Sequence, residues 1–361
     1  MGDSQLPIAV VGCGYWGSKH IRLCHHNPLL RVALAVDKRR ERLNYISSEY
    51  SGIPVSQHFE SVLTSDAIGV ILATPISSHF ELAKAALLAG KHVLIEKPMA
   101  ETSAQCRELI AIAEERHLVL MVGHTFEYHP AVDLMRDILR QGQLGKLYYI
   151  SSRRLNLGLY QSDANVLWDL APHDLSIIFA AIQGEVQSFS AWGARHVLPD
   201  VEDVVYAKLD FDSNVTAHIH VSWLDPVKVR QVTVVGGDGM LVFDDVAQVE
   251  KVRIYEKHFK PVVSGDSFAD FQSAYRHGPV HIPVIPNGEP LKLEVLDFVN
   301  AILTGKQPRA SGYSGLRVVE ALETASRCLN QRKTDAQYDV QLIRVASEQG
   351  PPTRAAQAGI G

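Results

Sequence analysis

The chain holds 361 residues, 46% of them hydrophobic and 21% charged, with a formal net charge of −5. That composition belongs to an ordinary globular protein with room for two domains. It offers no basic face for nucleic acid, and its strongest apolar run, Ile68–Ala73, has strand length rather than membrane-spanning length. No charged segment followed by a long apolar core marks a secretory signal. Cys13, Cys24, Cys106 and Cys328 are scattered, without CxxC or metal-ligand spacing. A cytoplasmic protein with reduced thiols, no metal centre and no membrane or nucleic-acid partner is expected.

In chain order, Leu6, Ile8, Ala9, Val10 and Val11 form a buried-strand run that breaks at Gly12, and a helix is expected to His26. Gly12-x-Gly14-x-x-Gly17 therefore stands where a strand turns into a helix. Gly12 makes the turn, Gly14 admits a pyrophosphate to the backbone, and Gly17 lets helix and strand pack closely. The helix N-terminus adds N–H groups and a positive dipole for phosphates. The next apolar run, Val32–Val36, ends in Asp37, placed to accept the ribose hydroxyls of an adenosine. Further strands are expected at Gly69–Ala73, His92–Ile95 and Val119–Val122, alternating with helices at Arg39–Glu49, His79–Ala89 and Ser103–Arg116. This is the βαβ signature of a parallel sheet that binds a dinucleotide.

After Gly123 the texture changes. A helix at Ala131–Arg140, a strand at Leu147–Arg153 and a helix at Trp168–Ile182 are followed by alternation over Asp203–Phe211, Val215–Trp223 and Val227–Val235. Short turns between these runs predict an antiparallel meander. Gly236-Gly237-Asp238-Gly239 makes another tight turn, into Met240–Phe243. Between about Lys257 and Gly288 periodicity is poor and Pro, Gly and His are frequent, which predicts loops. Helices at Leu293–Leu303 and Gly315–Asn330 close the fold, and the segment from Ala346 to Gly361 reads as disordered.

A dinucleotide domain binds its ligand beyond the carboxyl ends of its strands. Thr74, Pro75 and His79 follow the third strand, Glu96, Lys97 and Pro98 the fourth, and Gly123 and His124 the fifth. Lys97 there can hydrogen-bond a reacting oxygen and stabilise developing charge; the plainer reading pairs it with Glu96 in a solvated loop. His79 and His124 read more readily as lining or capping strand ends than as proton-transfer groups. In the second half, Asp169 and His173 are four apart on an expected helix and share a face. A carboxylate holding an imidazole makes a general base, although Asp169 read alone is equally a helix cap. Arg153 and Arg154 can bind a diphosphate or carboxylate bidentately, or stand exposed at a strand end.

GCGYWG with Asp37, the run Ile95-Glu96-Lys97-Pro98 and the Asp169/His173/Asp174 cluster resemble, in this order and spacing, the Gfo/Idh/MocA family of NAD(P)-dependent sugar and inositol oxidoreductases. The likeness runs from about Leu6 to Asn330. It implies an α/β Rossmann domain over residues 1–124, then an α+β domain over 125–345 with an open, mostly antiparallel sheet, and a tail over 346–361. It implies that Lys97 is the lysine of the Glu-Lys-Pro element and His173 the acid/base, oriented by Asp169. It implies hydride transfer to or from a ring carbon of a sugar or polyol, with homodimers or homotetramers built on the second sheet. Within the family, the GYWG and Trp168-Asp169-Leu170-Ala171-Pro172-His173-Asp174 forms are similar to nucleotide-sugar 3-dehydrogenases acting on UDP-N-acetylhexosamines or their uronic acids. Inositol, free-sugar and deoxysugar enzymes, NAD-dependent glycosidases and non-enzymatic sensors share the outline.

The cofactor is accordingly expected along Gly12, Gly14, Tyr15, Trp16, Gly17, Asp37, Thr74, Pro75, His79, Glu96 and Lys97, and the substrate along His124, Arg153, Arg154, Asn156 and Trp168. Asp37 repels a 2′-phosphate and favours NAD, while Lys38, Arg39 and Arg40 directly after it leave NADP open.

Overall fold

The computed structural model describes residues 5–158, 164–259 and 275–335. Its first half alternates β1 (Leu6–Val11), α1 (Tyr15–His26), β2 (Leu30–Val36), α2 (Arg40–Glu49), β3 (Val55–Ser56), α3 (Glu60–Leu63), β4 (Gly69–Leu72), α4 (Ile76–Leu88), β5 (His92–Ile95), α5 (Ser103–Glu115) and β6 (Leu120–Val122). The six strands form a parallel sheet in the order β3-β2-β1-β4-β5-β6. The apolar runs suit a sheet covered on both faces. Along β1, Ile8 and Val10 enter one layer and Ala9 and Val11 the other. The order reverses between β1 and β4, which opens a crevice at their carboxyl ends. Only β3 and α3, too short to show a period, escape the sequence pattern.

The second half runs α6 (Pro130–Arg140), β7 (Leu147–Leu157), α7 (Val166–Ala181), β8 (Val186–Ala194), β9 (Val204–Phe211), β10 (Thr216–Ser222), β11 (Leu224–Gly236), β12 (Met240–Asp244), β13 (Val252–Phe259), β14 (Tyr275–His281), α8 (Pro290–Thr304) and α9 (Gly312–Asp335). Eight strands make one mixed, mostly antiparallel sheet in the order β14-β13-β12-β11-β7-β10-β9-β8. The expected meander is corrected here. β10 and β11 are consecutive but not paired, because β7 lies between them, parallel to β10 and antiparallel to β11. β7 reaches that place through the crossover formed by α7, a long-range choice that no local pattern encodes.

Three strands, β8, β13 and β14, fall where loops or nothing were expected. β14 and part of β13 occupy the stretch from Lys257 to Gly288, and β8 precedes the first expected strand of the set. β14 and β8 are the two edges of the sheet. An edge strand is held by backbone pairing on one side and tolerates the Gly278-Pro279 and polar residues that hide its period. The tail over 346–361 lies outside the described residues.

The last two helices do not stay with the second sheet. Leu291, Val295, Phe298 and Val299 of α8 share a buried cluster with Ile8, Val10 and Ile21 of the first half. The Val122 N–H donates to the Ala310 carbonyl at 2.8 Å just before α9 begins. α9 then packs on α5 and β6 on one side and on α7 and β8 on the other. The expected second domain, residues 125–345, thus lends its last helices to the first. Cys13, Cys24 and Cys106 are buried free thiols whose pKa values burial pushes up to about 12, so they are unreactive. Among the described residues, no helix is long and apolar enough to cross a membrane.

Candidate active site

The turn after β1 fits a dinucleotide. Gly12 has φ +87°, and a Cβ on it would stand 2.3 Å from the Ala73 carbonyl oxygen. A Cβ on Gly17 would stand 1.6 Å from the Gly12 carbonyl oxygen, so any other residue would force α1 off the turn. Gly14 instead faces open space, with only an Arg39 nitrogen within 4 Å of its Cβ position, at 3.8 Å. No side chain caps α1 and no acid occupies its first turn, which leaves its N–H groups and dipole for phosphates. Asp37 accepts from the Cys13 N–H and from the Arg39 N–H, each at 2.8 Å, and the Arg39 Nε lies 3.5 Å away. The carboxylate is thereby fixed at the end of β2, with a guanidinium beside it.

Lys97 follows β5, and the Lys97–Pro98 peptide is cis. Its ammonium does not pair with Glu96. It donates to the backbone oxygen of Asp169 at 2.7 Å and stands 3.6 Å from Asp169 Oδ1. Glu96 turns inward to His20 at 3.0 Å; burial pushes its carboxyl up, and the bond and charge of His20 outweigh that and leave it below its usual range. Burial lowers the Lys97 pKa, while the nearby Asp169 and Glu96 oppose the shift.

α7 carries the rest. Asn165 caps it by accepting from the Trp168 N–H at 3.2 Å, so the reading of Asp169 as the cap is corrected. Asp169 Oδ2 accepts from the Trp223 indole at 3.1 Å. Asp169 therefore serves Lys97 and Trp223, and the expectation that it orients His173 is also corrected: among the described residues His173 Nδ1 is buried without a hydrogen-bond partner. The four-residue spacing put both side chains near one cleft without making them partners. One position further, Asp174 holds Arg154 at 2.9 and 3.1 Å and Ser152 at 2.7 Å, all buried. The Arg154 guanidinium lies 4.5 Å over the Phe126 ring, which meets His173 in an edge contact at 5.2 Å between centroids and 62° between planes. Burial first, then the charges of Lys97 and Arg154, hold His173 well below the ordinary histidine value. It is a neutral imidazole lining a cavity of about 540 Å³.

The other candidates divide. Tyr15 and Trp16 line that cavity at the start of α1. Thr74 and Pro75 sit against the cradle, Thr74 accepting from Ser78 at 2.8 Å. His79 is buried, its ring spanning the Pro98 and Thr74 carbonyl oxygens at 2.8 Å each; it braces two strand ends and, like Glu96, is turned into protein rather than toward a ligand. His124 is fully buried beside Glu96 and Lys97, and among the described residues neither ring nitrogen has a partner. Arg154 is already paired. Arg153 alternates to the opposite, exposed face of β7, where it bonds Gln231. Asn156 is half-buried two positions beyond Arg154. Trp168 donates to Ser326 on α9 at 2.9 Å and lines a separate groove with Asn165 and Glu202. Trp223, Phe126 and His20, which complete the site, carried no sequence signal, because only the tertiary fold brings them to it.

Residues 6–124 match the family described as oxidoreductase family, NAD-binding Rossmann fold, of the Gfo/Idh/MocA group. Residues 132–242 match the Gfo/Idh/MocA C-terminal domain. A UDP-N-acetylglucosamine 3-dehydrogenase of Acidithiobacillus ferrooxidans is 28% identical over 330 residues, 88% of this chain and 95% of its own. An inositol 2-dehydrogenase 2 of Saccharopolyspora erythraea is 28% identical over 225 residues, 60% of this chain and 66% of its own. The solved structure of UDP-N-acetylglucosamine 3-dehydrogenase GnnA from Acidithiobacillus ferrooxidans superposes with a TM-score of 0.77 at 26% identity, covering 90% of this chain and 98% of that one.

His124 gives the site a pH signature. Burial pushes its pKa down to about 4, with the Glu96 charge opposing and the Lys97 charge adding. Above about pH 6.5 both folded and unfolded chains hold it neutral, and its contribution does not vary. As pH falls from there toward 4, the unfolded chain takes up a proton that the folded chain refuses, costing about 3 kcal/mol of stability. The raised carboxyls of Glu127 and Glu294 titrate in the same window with the opposite sign, so the readout is a difference: between pH 7.5 and 4.5 wild type is expected to lose about 2–3 kcal/mol more stability in denaturant titrations than His124→Asn. His79 and His173, shifted the same way, add to the loss in both proteins and cancel in that difference.

Proposed function

The chain belongs to the Gfo/Idh/MocA family of oxidoreductases, and from that premise we propose that it transfers hydride between NAD(P) and carbon 3 of a UDP-N-acetylhexosamine or its uronic acid. One observation carries the reading: Lys97 of the first sheet and Asp169 of α7 meet across the cleft, beside His173. The likeness to a UDP-N-acetylglucosamine 3-dehydrogenase over nearly the whole of both chains supports the substrate class.

The residues that would hold the dinucleotide are the Gly12–Gly14–Gly17 turn, the open N-terminus of α1 and Asp37. When bound, the nicotinamide supplies the hydride acceptor for oxidation and the hydride donor for reduction. Lys97 carries three N–H donors, of which Asp169 takes at most two, and a remaining one binds the reacting oxygen and stabilises it as charge develops. His173, neutral near pH 7, takes the proton of the substrate hydroxyl in the oxidative direction and returns it in the other. Asp169 positions the Lys97 ammonium from both its backbone oxygen and its carboxylate. The fixed Asp37 carboxylate favours NAD, and Arg39 beside it is the group that would admit a 2′-phosphate.

The outer face of the second sheet leaves Tyr149, Trp192 and Tyr206 exposed, with Trp192 stacked on Tyr206 at 5.6 Å and Tyr206 on His220 at 4.0 Å. Such a patch on an uncovered sheet is an interface, and the protein is read as a homodimer or homotetramer built on it.

Lys97→Ala and His173→Ala are each expected to lower turnover of a UDP-N-acetylhexosamine by about 10²–10⁴-fold with NAD affinity retained. The acid limb of the oxidative pH–rate profile belongs to His173 and lies well below pH 6.5; it disappears in His173→Ala. Asp169→Asn is expected to fall between wild type and Lys97→Ala. Full activity in His173→Ala refutes that residue as the base, and sugar cleavage without net NADH formation replaces the dehydrogenase by a glycosidase.

Fluorescence titration is expected to give tighter binding of NADH than of NADPH, with Asp37→Ser shifting the balance toward NADPH. Equal or tighter NADPH binding assigns the pocket to Arg39 instead. Light scattering at micromolar concentration is expected to give a dimer or tetramer mass, and a monomer mass removes the sheet-face interface.

A further inference from the structure

If the site handles a sugar as read above, a nucleotide-linked substrate needs a place for its diphosphate, and Arg153 and Arg154 do not provide one. We propose that the diphosphate binds in the cavity between α1 and β11, held by Lys19, Lys228 and Arg230, with Tyr15 and Trp16 as the surface against which its base packs. This rests on the reading of the protein as a sugar dehydrogenase.

The cavity is charged against the trend of the molecule. Its lining holds Lys19, Arg22, Lys228 and Arg230 against only Asp245 and Glu289, in a chain of net charge −5. Arg22 is paired with Glu289, and Asp245 with Arg230 at 3.4 Å and Lys251 at 4.0 Å. Among the described residues Lys19 and Lys228 have no carboxylate partner, Lys19 donating instead to the Tyr15 hydroxyl at 2.9 Å, and the Arg230 Nε is buried with no hydrogen-bond acceptor. Two surplus positive charges and an orphaned guanidinium N–H match a diphosphate; a neutral sugar or inositol would leave them unanswered.

The aromatic pair strengthens the match. Tyr15 is 70% and Trp16 37% exposed, large apolar faces left open at the cavity mouth. Lys19 Nζ lies 4.0 Å over the Tyr15 ring and 4.6 Å over the Trp16 ring, so cation and ring faces are offered together. His173 lines the same cavity, which places the anionic end within reach of the reacting end of one molecule.

A diphosphate could also come from the dinucleotide itself. Its phosphates already have the Gly14 opening and the N-terminal N–H groups of α1, whereas Lys228 and Arg230 belong to a strand of the second sheet. The two sources separate in calorimetric titrations of UDP into the NADH-loaded protein and of NADH into the free protein. UDP is expected to bind, uridine at least about tenfold more weakly, and Lys19→Met and Lys228→Met each to weaken UDP by about tenfold while NADH affinity stays within twofold. For UDP-sugar turnover the same variants are expected to raise KM and keep kcat. UDP binding that ignores either substitution, or that uridine equals, overturns the proposal, as does a parallel loss of NADH affinity. Absence of NAD reduction with every UDP-sugar, alongside charge-dependent UDP binding, removes the dehydrogenase reading and keeps the subsite.

Discussion

The buried ion pair between Arg154 of β7 and Asp174 of α7 is the contact on which the site depends. Both side chains are almost wholly buried, and Ser152 takes another lone pair of the carboxylate. Removing one partner of such a pair costs about 3–5 kcal/mol, because the other charge is left stranded. The pair pins α7 to the centre of the second sheet. With the helix so held, Asp169 one turn earlier faces Lys97, and His173 beside Asp174 faces the cavity. The Arg154 charge, stacked on Phe126, also acts on the imidazole and helps keep it neutral.

The first sheet meets this helix because the chain returns to it. α8 seals the β1 side with Phe298 and Val295, and α9 packs against both halves of the molecule. Lys97 is thus presented to Asp169 by two frameworks that cannot drift independently. Desolvation then sets the chemistry. Histidine and lysine lose charge on burial, so both pKa values fall: that of Lys97 moves down toward neutral pH, while that of His173 moves well below it and leaves a neutral imidazole.

At the other end of the cleft, backbone geometry does the selecting. Gly12 and Gly17 are required by contacts of 2.3 and 1.6 Å that no Cβ could occupy, while Gly14 is required by the space outside it. Asp37 is held by two backbone N–H groups and flanked by Arg39, so cofactor choice rests on a balance of one carboxylate against one guanidinium.

Much of this was legible in the amino-acid order. The glycine spacing, the strand ending at Asp37 and the alternation of short apolar runs with helical patterns define the parallel sheet and its dinucleotide turn, since these depend on contacts close along the chain. Lys97 and His173 were visible because a strand end and a helix face are local facts. The order of the second sheet was not, because inserting β7 between β10 and β11 is decided by a crossover and by burial of its core face. Nor were the side-chain partners. A four-residue spacing puts Asp169 and His173 on one face, but Lys97 and Trp223, distant in sequence, claim the carboxylate. Arg153 and Arg154 are neighbours that strand alternation sends to opposite faces, so only the fold decides that Arg154 is spent on Asp174 and Arg153 on Gln231, and that Lys19 and Lys228, 209 positions apart in sequence, line one cavity.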